Sequence, residues 1–76
     1  MKASEAVTGQ TIRWRTAAGW VFEGVVNHVI DYGPNLAAYT SVTPTTVTLP
    51  TTGTVPYQGC DVLLLADAEV ELVGEA

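Results

Sequence analysis

The chain has 76 residues, of which 47% are hydrophobic and only 14% charged, and its formal net charge is −5. That length holds one small domain, near the size at which a single core supplies only a few kcal/mol of net stability, and the lone cysteine, Cys60, rules out an intrachain disulfide. With Lys2, Arg13 and Arg15 as its only cations, the chain lacks the basic footprint of a nucleic-acid or anionic-membrane binder.

Residues 1–8 read as a flexible arm and 9–74 as one domain. The arm has no apolar run long enough for a signal peptide, and no stretch approaches the ~20 apolar residues of a membrane span. The cytoplasm, or a virion assembly, is the expected location. Thr11-Ile12-Arg13-Trp14-Arg15 alternates polar and apolar, which predicts a half-buried strand with Ile12 and Trp14 on one face and the arginines on the other. A turn at Ala17-Ala18-Gly19 leads to a second, β-branched and aromatic strand over 20–30, bent at Gly24.

Asp31-Tyr32-Gly33-Pro34-Asn35 is dense in turn formers and predicts a reversal. Beyond it Pro44 and Pro50 interrupt a threonine-rich stretch. Its best strand is Thr45-Thr46-Val47-Thr48-Leu49, which the prolines confine to an edge or to short pieces. Residues 61–73, DVLLLADAEVELV, could be an acidic helix or two strands. As a helix, Glu69 would interrupt the apolar stripe of Val62, Leu65 and Ala66. As strands, 62–65 is short and buried, 66–68 is a tight turn, and 69–72 alternates with Val70 and Leu72 inward. The strands fit better. The fold class is therefore all-β, a small bent barrel of about five strands with no helix longer than a turn.

Gly9-Gln10-Thr11-Ile12-Arg13, followed by Trp20, by Gly24-Val25-Val26 and by residues 61–73, resembles an SH3-like barrel. The resemblance implies a single-turn 3-10 helix before the last strand, and pairing of that strand with the first. Antiparallel pairing would bring Arg13 and Arg15 near Glu69 and Glu71. In length and spacing the chain also resembles the plasmid-borne type II dihydrofolate reductases, whose Val-Gln-Ile-Tyr strand lines the pore of a homotetramer and binds folate and NADPH. The matching strand here is Val62-Leu63-Leu64-Leu65, so the glutamine and tyrosine of that motif are replaced by Leu63 and Leu65. A pore so built lacks the polar groups that hold the two ligands. The resemblance therefore implies the barrel and an oligomer, not the activity.

No catalytic, metal or cofactor residues are assigned. His28 has only Asp31 as a nearby carboxylate in sequence and reads as a surface or interface residue. Cys60 beside Asp61 is poorly placed for a reactive thiolate. Ligand spacings, phosphate loops and nucleophile elbows are absent. Two features remain. Asp67, Glu69 and Glu71 share one outer face, either a solvated surface or a negative patch for a basic partner. Trp20, Tyr32, Tyr39 and Tyr57 lie at or near predicted turns and are candidate interface anchors, whereas Trp14 and Phe22 belong to the core. A typical soluble domain is roughly 25% charged, so a chain this poor in charge is expected to bury apolar surface against a partner. The expectation is a non-enzymatic interaction module that forms a homo-oligomer or binds another protein. The alternatives are a structural accessory protein of a phage or mobile element, and an oligomeric reductase-like enzyme with its site at the subunit axis.

Overall fold

A computed structural model describes residues 1–31 and 38–74 of the chain. Six antiparallel strands form one curled sheet, a half-barrel: β1 (Thr11–Arg15), β2 (Val21–Asp31), β3 (Ala38–Leu49), β4 (Gly53–Pro56), β5 (Val62–Leu65) and β6 (Glu71–Gly74). The spatial order is β4-β3-β2-β1-β6, with β5 also paired to β3. No helix among the described residues is long and apolar enough to cross a membrane.

The alternation in β1 acts as expected: Ile12 and Trp14 are buried and Arg15 is exposed. β1 lies between β2, through Ile12↔Gly24 and Trp14↔Phe22, and β6, through Ile12↔Leu72 and Arg13↔Glu71. The expected bend at Gly24 coincides with a register shift between Glu23 and Gly24, where β2 faces Pro44. A β-carbon at Gly24 would stand 2.7 Å from the Thr43 carbonyl oxygen, 2.7 Å from Val42 Cγ1 and 3.0 Å from Pro44 Cα. Only glycine lets the two backbones come this close.

Pro44 does not confine its strand to an edge or to fragments. β3 runs unbroken for 12 residues, with β2 along one side and two short strands end to end along the other. Residues 39–42 pair with β5 and 46–49 with β4. Pro44 falls in the gap between those ladders and at the β2 bulge, where a missing N–H costs nothing. The threonine-rich stretch folds back at Pro50-Thr51-Thr52-Gly53, with Gly53 at φ +79° as a three-residue hairpin loop favours. The Thr48 and Thr54 hydroxyls meet at 2.7 Å across that hairpin.

β5 and β6 are two strands joined by a turn, which the Ala68 N–H closes by donating to the Leu65 carbonyl at 2.9 Å. The one 3-10 turn among the described residues lies elsewhere, at Ala3–Glu5. The first residues are correspondingly not a loose arm. Ala3 and Ala6 are buried in the core beside Ile12, Trp14, Val26, Val42 and Val70. The Ala3 and Ser4 N–H groups donate to the carbonyls of Ala68 (2.8 Å) and Ala66 (2.9 Å), and the Val70 N–H donates to the Met1 carbonyl (2.8 Å). Small side chains let this segment press its backbone against the β5–β6 turn; the 3-10 turn thus precedes the first strand, not the last as the resemblance implied.

Gly24→Ala is expected to cost ~1–3 kcal/mol of stability, read as a lower urea midpoint, while Val7→Ala, at an exposed position, leaves the midpoint in place. An unchanged midpoint for Gly24→Ala would mean that β2 and β3 separate freely there. Thr40 is fully buried, and its hydroxyl has no hydrogen-bond partner among the described residues. Thr40→Val, of matching shape, should raise the melting temperature because an unpaired buried hydroxyl costs roughly 1–3 kcal/mol.

Candidate functional site

A row of aromatic rings crosses the sheet from β1 to the residue after β4. The cross-strand pair Trp14 and Phe22 stacks at 5.6 Å between ring centroids with 12° between planes. Trp20, just ahead of β2, tilts against Phe22 at 6.5 Å, and Tyr57 meets Phe22 edge-on at 5.4 Å. Such offset and edge-to-face contacts add ~0.5–1.5 kcal/mol per pair beyond burial. Trp14 is buried, Phe22 and Tyr57 are half-buried, and Trp20 remains 45% exposed.

The backbone holds Trp20 in place. The Thr16 N–H donates to the Trp20 carbonyl (2.8 Å), the Trp20 N–H donates to Thr16 Oγ1 (3.2 Å), and Gly19 turns the chain at φ +86°. Tyr57 is fixed in turn by its N–H, which donates to the Thr45 carbonyl at 3.0 Å. Thus Trp20 and Tyr57, far apart in sequence, belong to one surface through Phe22.

Beside this row an open groove of about 450 Å³ runs along β1 and the start of β6. Trp14, Val21 and Val70 form its apolar part, and Arg13, Arg15, Glu69 and Glu71 contribute its charges. Arg13 pairs with Glu23 (Nη2 to Oε2, 3.5 Å) and with Glu71 (Nη1 to Oε2, 3.6 Å), as antiparallel pairing of first and last strands requires. By the same register Arg15 should oppose Glu69. Glu69 instead accepts a hydrogen bond from the Met1 amine at 3.2 Å, and Arg15 makes no ion pair among the described residues. Asp67 is exposed in the β5–β6 turn.

Tyr39 is not part of this surface. It pairs with Ile30 on β2 and Leu65 on β5. Alternation along β5 turns Val62 and Leu64 inward and leaves Leu63 and Leu65 about half exposed on the face that Tyr39 shares. β5 is therefore not the buried strand expected from sequence; four consecutive apolar residues give no sign of which alternate pair faces water. Tyr32, the remaining aromatic candidate, lies outside the described residues.

A polar ladder that sequence reasoning missed ties β2 and β3 to the approach of β5. Asn27 Nδ2 donates to Thr43 Oγ1 (2.9 Å), whose hydroxyl donates to Asp61 Oδ1 (2.9 Å). Residues 27, 43 and 61 carry no spacing that would reveal this contact. His28 is exposed opposite Ser41, and Cys60 is an exposed free thiol.

Glu71→Lys places a cation beside Arg13 and should lower the melting temperature more than Asp67→Lys. The difference should stay under about 1 kcal/mol for so exposed a pair and shrink with added salt. Equal shifts for both variants would leave the Arg13–Glu71 contact without energetic weight.

Comparison of the chain with known protein families, with curated proteins and with solved structures found no match.

Proposed function

We propose that the protein is a non-enzymatic interaction module built on an SH3-like barrel, acting by self-association in the cytoplasm or within a virion assembly. One observation carries the reading: Trp20 stands 45% exposed on a row of packed rings, and the Trp14 of that row also lines a groove with both signs of charge. A rigid, half-exposed indole is a common form of interface anchor. The SH3-like assignment is supported by β6, which follows a tight turn and pairs with β1.

A second reading is favoured by a different surface. Leu63 and Leu65 are exposed beside Tyr39 on the opposite face of the sheet, and a chain with two separate apolar faces suits a structural subunit of a phage or mobile-element assembly. Two unlike contact faces generate rings or open arrays, whereas one self-complementary face closes a dimer.

Light scattering on the eluting protein across a wide dilution series should show a closed species larger than one chain. Trp20→Ala should weaken that species about tenfold or more, while the thermal melt, lowered by the lost Trp20–Phe22 contact, still shows a cooperatively folded chain. A monomer at every concentration would remove self-association, and growth to ever larger species would favour the array.

A further inference from the structure

We infer that the groove between β1 and β6 is the seat of a second copy of this chain, docked about a two-fold axis with Arg15 of each copy on Glu69 of the other. The inference deepens the self-association proposed above and rests on it.

The argument is one of charge. A chain with eight acidic and three basic residues repels its own copy over most of its surface. Within the groove the balance is different: two arginines and two glutamates line it, so its formal charge is zero. An isologous contact needs a patch complementary to itself, and a patch with equal numbers of opposite charges meets that condition.

Arg15 and Glu69 are the members suited to reach across. Arg13 is held between Glu23 and Glu71 within its own chain, whereas Arg15 is exposed and unpaired among the described residues. Its expected strand neighbour Glu69 is drawn to the Met1 amine through one oxygen, and the Glu69 side chain remains 82% exposed. Each copy therefore offers a cation lacking an anion and a carboxylate with room for a second cation. The apolar part of the groove, Trp14, Val21 and Val70, gives the second copy apolar surface to cover. Burial between the two copies would strengthen the paired charges by lowering the local dielectric.

Reversal of the charges tests the pairing. Arg15→Glu and Glu69→Arg are made singly and together, and the dissociation constant of each protein is taken from light scattering in low salt, with thermal melts confirming that each is folded. Each single variant should dissociate about tenfold or more readily than the parent, and the double variant should recover most of that loss, the signature of direct coupling. A dimer in which both single variants match the parent, or in which the double variant is no tighter than the singles, overturns the inference. Self-association would then survive on another face, and Leu63→Asp would break it. A parent that is monomeric throughout overturns the underlying reading as well.

Discussion

The contact of Gly24 with Val42, Thr43 and Pro44 is the constraint on which the sheet depends. β2 and β3 are its longest strands, and together they carry β1 on one side and β4 and β5 on the other, with β6 added beyond β1. At Gly24 the two backbones close to a distance that no side chain permits, and the register shifts there and again between Val26 and His28. Bulges of this kind increase twist and bend the bulged strand. A flat sheet of these residues would leave Ile12, Val26, Val42 and Val70 without a common interior; the curl brings them together.

The N-terminal segment completes that interior. Its 3-10 turn buries Ala3 and Ala6 and hydrogen-bonds to the β5–β6 turn. Pairing β5 with β3 and β6 with β1 leaves the linker between them with backbone groups to satisfy, and residues 1–4 satisfy them. The same contact bears on the surface, because the Met1 amine takes the carboxylate that the strand register would otherwise give to Arg15. A packing requirement at the seam thus leaves a cation available in the groove.

The two faces of the sheet differ in a way that matters for recognition. One presents Trp20 and Tyr57 propped on Phe22; the other presents Leu63 and Leu65 beside Tyr39 and, by alternation along β1 and β2, the ion-paired Arg13, Glu23 and Glu71. Rigid rings give up little conformational freedom on contact. The first face is the better instrument of specific binding.

The sequence by itself determined the strand content, because period-2 alternation at Ile12 and Trp14, the turn chemistry around Gly19 and the acidic interruption at Glu69 are local signals. It also determined the antiparallel match of Arg13 with Glu71, once the first and last strands were taken as neighbours. Only the tertiary structure decided that Pro44 sits inside a continuous strand, since that depends on where two other strands happen to stop. The same holds for the exposure of Leu63 and Leu65, for the docking of Ala3 and for the union of Trp20 with Tyr57 across Phe22. Each of these is set by contacts between residues far apart in the chain, and no local periodicity records which distant neighbour will arrive.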